Sequence, residues 1–251
     1  MKYAIVTGVS KGLGYSVAKL LLEQEIHVIG LARTGAEGLQ DIAETNNVTF
    51  QQYKCDLGDV EAIEETCKEI KGQLDKNLST LFLVNNAAVV EPVDQAMNMN
   101  SSDLAHHVKV NTIAPMVMTN LFLKEASTGG YPLLSVTVTS GAAERPMSGW
   151  SAYCSTKASI NMYTQTVALE QDEKGTNHKV FAFSPGIMDT GMQEQIRAAS
   201  KEEFSAVDTF KSYKEQNALE DADKVGKVLV SILTNEADVQ NGKIYNVKDY
   251  L

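Results

Sequence analysis

The sequence has few of the features that mark secreted, metal-binding or membrane-spanning proteins. Its 251 residues include three cysteines, Cys55, Cys67 and Cys154. An odd number without paired ligand spacing favours reduced thiols over a disulfide framework and predicts no metal site. No stretch approaches the ~20 apolar residues of a membrane span, and the first apolar run is too short for the core of a signal peptide. We therefore expect a soluble, cytoplasmic protein.

Basic residues are also scarce relative to acidic ones. The chain has 22 lysines and arginines against 32 aspartates and glutamates, and its formal net charge is -10 at pH 7. A surface with this excess of negative charge repels phosphate backbones and anionic membranes. We therefore expect neither nucleic acid nor a membrane as a partner.

Apolar, strand-like runs alternate with helical patterns along the whole chain, without repeats, low-complexity tracts or linkers. The strand-like runs lie at 3–7, 27–32, 48–53, 80–85, 133–139, 179–184 and 243–246. The helical patterns lie at 13–24, 37–45, 60–74, 102–125, 150–173 and 221–233. This alternation predicts an α/β fold of the Rossmann type, a doubly wound sheet of about seven parallel strands with helices on both faces. The chain length is compatible with one domain spanning 1–251.

A glycine-rich segment, GVSKGLG from Gly8 to Gly14, follows the first strand and opens the first helix. Glycines permit a tight turn and the close approach of the backbone to a pyrophosphate. The amino terminus of a helix adds free N–H groups and a favourable dipole. Strand, turn and helix in this order predict a dinucleotide-binding site.

Tyr153 and Lys157 stand four residues apart at the start of the helical pattern 150–173. At this spacing both side chains leave the same helix face, and a nearby ammonium lowers the pKa of a phenol. Ser140 follows the run 133–139, which places its hydroxyl at the carboxyl end of a strand, where open α/β sheets bind ligands. The pattern indicates acid-base chemistry, although a tyrosine and a lysine at this spacing also occur on solvated helix faces.

These motifs, with NNAA at 85–88 and the Pro185-Gly186 turn, resemble the short-chain dehydrogenase/reductase family over the whole chain. One position departs from the family pattern, since Ala88 stands where glycine is usual. The resemblance implies an enzyme that transfers a hydride between a nicotinamide and a carbonyl carbon. It assigns the general acid to Tyr153, a second hydrogen bond to the carbonyl oxygen to Ser140, and the nicotinamide ribose to Lys157. It also implies that Asn111 supports a water that connects the lysine to solvent.

The cofactor site follows from the same resemblance. The residues assigned to the cofactor are Gly8, Ser10, Lys11, Gly12, Leu13, Gly14, Arg33, Asp56, Leu57, Asn86, Ala87, Tyr153, Lys157, Pro185, Gly186, Ile187 and Thr190. The second strand is followed by Arg33 and by no acidic residue, and an arginine at this place accommodates the 2′-phosphate of NADP(H). By analogy with the family, Lys11 adds a second cation there, although either side chain could also be an ordinary surface charge.

The segment 186–219 has apolar residues scattered among charges, a pattern typical of two short helices. In the family this segment closes over the substrate, and long insertions at this edge of a sheet tend to be functional. The residues assigned to the substrate site are Ser140, Ala142, Met147, Trp150, Tyr153, Met188, Met192 and Asp249. An apolar, partly aromatic wall suits a flat aromatic ketone, although the methionines and tryptophan could equally be core residues.

Three stretches carry a closer resemblance, namely 149–154, 189–197 and the tail 249–251. They are similar to a branch that contains the bacterial benzil reductases and is related to sepiapterin reductases. That branch implies NADPH-dependent reduction of one carbonyl of an aromatic 1,2-diketone. Two alternatives stay open, a pteridine reductase that anchors its substrate on Asp249 and a non-catalytic NADPH-binding regulator.

The family also implies a homodimer in which the patterns 102–125 and 150–173 pair across a two-fold axis. Two neighbouring features have simpler interpretations. Successive helix residues point about 100° apart, so we expect Cys154 to face away from Tyr153 and to be buried by packing. His106 and His107 lack a third ligand nearby, so we expect a solvated or packed pair.

Overall fold

The computed structural model describes residues 1–75 and 77–251. It contains one parallel sheet with the strand order β3-β2-β1-β4-β5-β6-β7. The strands are β1 (Lys2–Thr7), β2 (His27–Ala32), β3 (Phe50–Lys54), β4 (Thr80–Asn85), β5 (Leu133–Val138), β6 (Lys179–Ser184) and β7 (Ile244–Asn246). The predicted seven-stranded Rossmann-type sheet is confirmed. The strand order reverses between β1 and β4, which is the point where doubly wound sheets open a ligand crevice.

The helices lie close to their predicted positions, with one difference of kind. They are α1 (Gly12–Glu23), α2 (Leu39–Thr45), α3 (Val60–Gln73), α4 (Ser101–Val108), α5 (Ala114–Gly129), α6 (Ser151–Glu173), α7 (Gly191–Ala198), α8 (Val207–Glu215) and α9 (Ala222–Thr234). The pattern at 102–125 is not a single α-helix, because the π-helical segment Lys109–Ile113 separates α4 from α5. Its wider turn admits one extra residue, and the N–H of Ala114 bonds the carbonyl of Lys109.

Helices cover both faces of the sheet, which explains why its central strands are apolar throughout. Along β1, Ala4 and Val6 pack in one cluster with residues of α1 and α9, whereas Ile5 packs in the opposite cluster with residues of α3 and α5. Successive strand residues point to opposite faces, so a strand between two helical layers must be apolar at every position.

A third apolar cluster lies outside these two layers, and it joins α6 to α7 and α8. Its members include Trp150, Tyr153, Ile196, Phe204 and Val207. Within the described residues, no helix is long and apolar enough to cross a membrane. The segment 186–219 contains two short helices, α7 and α8, in agreement with its sequence pattern.

Candidate active site

A cavity of about 1070 Å³ opens where the sheet strands end. It is lined by residues that directly follow the six strands β1 to β6, so each of these strands delivers side chains or backbone to it. The predicted site residues that line it are Gly8, Ser10, Lys11, Gly12, Leu13, Arg33, Asp56, Leu57, Asn86, Ala87, Ser140, Ala142, Met147, Trp150, Tyr153, Lys157, Pro185, Gly186, Ile187, Met188, Thr190 and Met192. Gly14, Asn111 and Asp249 are not among the lining residues.

The glycine turn has the backbone that the sequence pattern requires. Gly8 and Gly12 adopt left-handed φ values of 75° and 60°, which residues other than glycine rarely adopt. A Cβ on Gly14 would collide with the carbonyl oxygen of Gly8, so this third glycine lets α1 approach the turn instead of lining the cavity. The turn and the first N–H groups of α1 thus form a cradle that fits a pyrophosphate.

Asn86 and Thr7 hold the far side of this cradle. The Asn86 amide donates to the carbonyl of Thr7 at 2.9 Å, and the backbone N–H groups of Asn86 and Ala87 both donate to the Thr7 hydroxyl at 3.0 Å. Ala88 lies outside the left-handed region, which among the described non-glycine residues holds only Glu25, Asn47 and Asn217. Alanine in place of the family's glycine is therefore accommodated without backbone strain.

The cavity concentrates positive charge in an acidic protein. Lys11, Arg33, Arg145, Lys157 and Lys248 line it. In the part of the chain that the structure describes, neither Lys11 nor Arg33 forms an ion pair with an acidic side chain. Of the two acidic lining residues, Asp56 and Asp189, the latter is paired with Lys214 at 2.5 Å. The cavity therefore favours an anionic ligand.

Tyr153 and Lys157 lie on one face of α6 and are both buried, with 7% and 3% of their surface exposed. The Lys157 ammonium donates to the carbonyl of Val138 at 2.9 Å and lies 5.7 Å from the centre of the Tyr153 ring. Burial raises the pKa of Tyr153 to about 12, although the Ser140 hydroxyl opposes this rise. Burial lowers the pKa of Lys157 to about 8.

The expectation that Lys157 lowers the pKa of Tyr153 is therefore wrong for this arrangement. The ammonium donates to a backbone carbonyl and the Tyr153 hydroxyl to the sulfur of Met192, so the two groups do not bond each other, while burial disfavours the charged form of both. Tyr153 consequently keeps its proton at neutral pH, which suits a proton donor better than a proton acceptor.

Ser140 lies two residues beyond β5, with its hydroxyl oxygen accepting from the N–H of Ala142 at 3.2 Å. Because the oxygen acts as acceptor in this bond, the hydroxyl proton is available to a further acceptor. Ser140 and Tyr153 thus supply two O–H donors to one end of the cavity.

The segment with α7 and α8 packs directly against this end. The Tyr153 hydroxyl donates to the sulfur of Met192 at 3.9 Å. Trp150 stacks on Phe204 with a centroid separation of 4.6 Å and meets the Tyr153 ring edge-on at 5.1 Å. Phe210 and Tyr213 also line the cavity. The predicted apolar residues therefore serve both as core of this segment and as cavity wall, and sequence reasoning missed Phe210 and Tyr213 as lining residues.

Asn111 lies behind the cavity wall, in the π-helical segment. Its amide oxygen accepts from the N–H of Val89 at 2.8 Å, and its amide nitrogen donates to the carbonyl of Val89 at 2.7 Å. The same nitrogen lies 2.9 Å from Nε2 of His107. Sequence reasoning missed this role of His107, for which the one available signal is its position about one helical turn before Asn111.

Two further expectations need correction. Asp249 is the last residue of the 3₁₀ turn Val247–Asp249, where it is exposed and does not line the cavity. Asn246 and Lys248 line the cavity instead. Cys154 does lie outside the cavity, but it is half-buried instead of buried, and its thiol donates to the carbonyl of Arg145 at 3.7 Å.

Comparison with known proteins agrees with this geometry. Residues 2–201 match the family profile described as short chain dehydrogenase. The chain is 36% identical over 250 residues to a benzil reductase ((S)-benzoin forming) of Bacillus cereus, with 99% of this chain and 100% of the relative covered. It is 34% identical over 252 residues to the corresponding enzyme of Bacillus subtilis, with 100% of both covered. A solved short-chain dehydrogenase/reductase structure from Saccharomyces cerevisiae superposes with a TM-score of 0.82 at 26% identity, covering 98% of this chain and 96% of that one.

Proposed function

Because the chain belongs to the short-chain dehydrogenase/reductase family, whose enzymes use a nicotinamide cofactor, we propose that it is an NADPH-dependent carbonyl reductase. Its proposed substrate is an aromatic 1,2-diketone such as benzil, of which one carbonyl becomes an α-hydroxy ketone. The observation that carries this proposal is the buried, protonated Tyr153 beside Lys157, Ser140 and an apolar wall. The benzil reductases among its relatives support the substrate class.

We assign different groups of cavity residues to different parts of the cofactor. We assign the pyrophosphate to the glycine turn and the start of α1, and the 2′-phosphate to Arg33 and Lys11. Asp56 and Leu57 are assigned to the adenine, and the nicotinamide end to Asn86, Ala87, Tyr153, Lys157, Pro185, Gly186, Ile187 and Thr190. When bound, the reduced nicotinamide supplies the hydride for the carbonyl carbon.

The chain supplies the proton and the stabilisation of charge. As negative charge develops on the carbonyl oxygen, the hydroxyls of Ser140 and Tyr153 donate hydrogen bonds to it, and Tyr153 gives up its proton. Lys157 keeps a positive charge next to the phenolate that this leaves. Met147, Trp150 and Met192 hold the aromatic groups, and the segment 186–219 excludes water over them.

This function would be carried by one domain spanning 1–251, in the cytoplasm. The pteridine alternative loses the anchor that was assigned to it, because Asp249 is exposed and outside the cavity. The alternative of a non-catalytic NADPH-binding regulator predicts cofactor binding without turnover.

The test is turnover of NADPH with a panel containing benzil, 1-phenyl-1,2-propanedione and sepiapterin, followed by the absorbance of the reduced nicotinamide. We expect turnover of both diketones and a chiral α-hydroxy ketone as product. Sepiapterin reduced far more efficiently than either diketone would overturn the substrate assignment. Tight NADPH binding without turnover of any carbonyl compound would favour the regulator.

A further inference from the structure

His107 is a completely buried histidine whose ring lies behind the candidate active site. It lies in α4, one turn before Asn111, and its ring stands edge-on to the ring of Tyr153 with 6.1 Å between centroids. It does not line the cavity. The proposed chemistry gives this residue no role. A buried imidazole is costly in free energy unless it is hydrogen-bonded, so its partners need to be identified.

Its hydrogen bonds determine which nitrogen carries the proton. Nδ1 lies 2.6 Å from the carbonyl oxygen of Glu91, which can only accept, so Nδ1 must be protonated. Nε2 lies 2.9 Å from the amide nitrogen of Asn111. An amide nitrogen can only donate. The Asn111 atom that faces Nε2 must be the nitrogen, because the amide oxygen accepts from the N–H of Val89. Nε2 is therefore an unprotonated acceptor, and the ring is neutral.

The ring joins three pieces of chain that surround the reacting end of the cavity. Through Nδ1 it holds Glu91 in the loop after β4. Through Nε2 it holds Asn111, which grips Val89 of the same loop by both backbone groups. The same Nε2 lies 3.1 Å from the hydroxyl of Thr156, within the first turns of α6 that carry Tyr153.

The Thr156 hydroxyl extends this connection to the backbone of the tyrosine. It lies 3.0 Å from the carbonyl of Tyr153 and 2.9 Å from that of Ala152, and its single proton goes to one of these two oxygens or to Nε2 at any one time. A chain of short polar contacts thus runs from the cavity wall at Val89, through Asn111, His107 and Thr156, to Tyr153.

We propose that His107 is a positioning residue for the carbonyl reduction, acting as a neutral Nδ1–H imidazole that fixes Tyr153 of α6 relative to the cavity wall at Val89. The proposal rests on the proposed function for the role of Tyr153. A shift of about 1 Å between a proton donor and the wall that seats its ligands can cost about 100-fold in turnover.

The charge of the ring is part of this arrangement. A proton on Nε2 would face the Asn111 amide, so two donors would oppose each other. The titratable groups around the ring are Lys157 and Tyr153 from α6 and His106 from α4, whereas Glu91 meets it through its backbone carbonyl. Burial above all, together with the charge of Lys157, holds the pKa of His107 below its usual value, against the opposing effect of the bond to Glu91. Acid conditions that charge the ring should therefore break the connection.

Two substitutions of His107 separate the effect of its hydrogen bonds on the position of Tyr153 from the effect of the space that its ring fills. His107→Leu fills the space but leaves the carbonyl of Glu91 and one N–H of the Asn111 amide without their partner, and we expect kcat to fall about 100-fold with little change in the KM for the diketone. His107→Gln retains a neutral acceptor toward Asn111 and Thr156, and we expect it to recover most of the turnover.

His178 provides a matched control. It is also a buried histidine with two hydrogen bonds, one from the N–H of Leu133 at 3.1 Å and one with the Ser127 hydroxyl at 2.9 Å. These bonds lie where β5 begins, at the edge opposite the cavity. His178→Leu should therefore lower stability without lowering kcat of the folded fraction. If His107→Leu lowers kcat of the folded fraction no more than His178→Leu does, the proposal is wrong.

Two further measurements do not depend on the leucine variant folding. Wild-type kcat should decline at acid pH, and His107→Gln should lack this decline because its side chain cannot be charged; a parallel decline in both would overturn the proposal. Imidazole ¹⁵N chemical shifts should show the neutral Nδ1–H tautomer at pH 7, and an Nε2–H or charged ring would also overturn it.

If no diketone is reduced, the proposed function fails, while kinetics on any other carbonyl substrate and the ¹⁵N shifts still decide the assignment of His107.

Discussion

The hydroxyl of Tyr153 lies 3.9 Å from the sulfur of Met192 in the apolar wall, and its removal tests the chemistry most directly. Tyr153→Phe keeps the ring and its edge-on contact with Trp150 at 5.1 Å. We expect turnover to fall about 10²–10⁴-fold, since general acid catalysis typically contributes that much. NADPH binding, measured by fluorescence titration, should be retained. Near-normal turnover would remove Tyr153 from the mechanism.

Lys157 makes the reaction sensitive to alkaline pH. Its pKa is lowered to about 8 by burial, so a rise in pH through 8 removes the ammonium charge. Tyr153, with a pKa raised to about 12, keeps its proton over the same range. We therefore expect kcat/KM for carbonyl reduction to fall above about pH 8, as measured by initial rates. A flat profile up to pH 10 would contradict this assignment.

Arg33 tests the choice of cofactor. It is exposed just beyond β2, and its charge is available to the 2′-phosphate. A hydrogen bond to a charged group contributes about 1.5–3 kcal/mol, so Arg33→Ala should reduce the preference for NADPH over NADH about ten- to 150-fold. Lys68→Ala removes an exposed charge from α3, outside the cavity, and should leave the ratio unchanged. Equal use of NADH by the wild type would refute the premise.

Residue types and spacing predicted which side chains meet, but not their protonation. The four-residue spacing of Tyr153 and Lys157 correctly put both on one helix face. The direction of both pKa shifts depended on burial. The ammonium is bonded by the carbonyl of Val138, which β5 supplies. The same limit hid His107, whose partners Glu91 and Thr156 lie 16 and 49 residues away.

The segment that holds α7 and α8 is attached through aromatic contacts. Phe204 is completely buried and stacks on Trp150. Phe204→Ala should loosen the segment and raise the KM for the diketone several-fold, with the affinity for NADPH less affected, and should cost about 3–5 kcal/mol of stability where the cavity cannot collapse. Steady-state kinetics and thermal unfolding provide the two measurements.

Phe122→Ala is the matched control for that prediction. Phe122 is equally buried, but it lies in α5 and packs in the cluster of α3 and α5, apart from α7 and α8. Its loss should lower stability by a similar amount and leave the KM for the diketone unchanged. Equal increases of KM in both variants would mean that general loosening, and not the segment itself, controls substrate binding.

Element positions were predictable to within a few residues because the alternation of apolar periods is strong. The third strand begins two residues later and ends one residue later than predicted, at Phe50–Lys54. The π-helical segment could not be predicted, since the apolar pattern runs through it without interruption. Its cause is tertiary, because Asn111 turns inward there to bond Val89.

The molecule as a whole retains an apolar surface that suggests a partner of its own kind. Met162 and Leu169 are 65% and 57% exposed and lie seven residues apart, on one face of α6. We expect a homodimer in which this face and α5 pair with their copies across a two-fold axis. Light scattering of Met162→Glu should show a smaller mass than the wild type. Tyr250→Glu, at another exposed apolar residue, is the control, and a concentration-independent wild-type monomer would refute the dimer.

The sequence predicted the net charge of the molecule but not how the charge is distributed over it. The net charge of -10 indicated an acidic protein. The structure distributes that charge unevenly, because five cations from distant parts of the sequence meet around one cavity. The parallel sheet with helices on both faces, in contrast, followed from the alternation of elements and the right-handed crossover rule.

The central position of β1 has a consequence for how the chain acquires its structure. β1 is synthesised before its partners, because it pairs with β2 on one side and with β4 on the other. At about 5–20 residues per second, the ribosome takes roughly 4 to 15 s to add the residues between β1 and β4. During that interval one edge of β1 stays unpaired, and an unpaired edge recruits other strands. Pairing between β1 and β4 should therefore limit the folding rate, and nascent chains that end before residue 80 should be the form most dependent on chaperones.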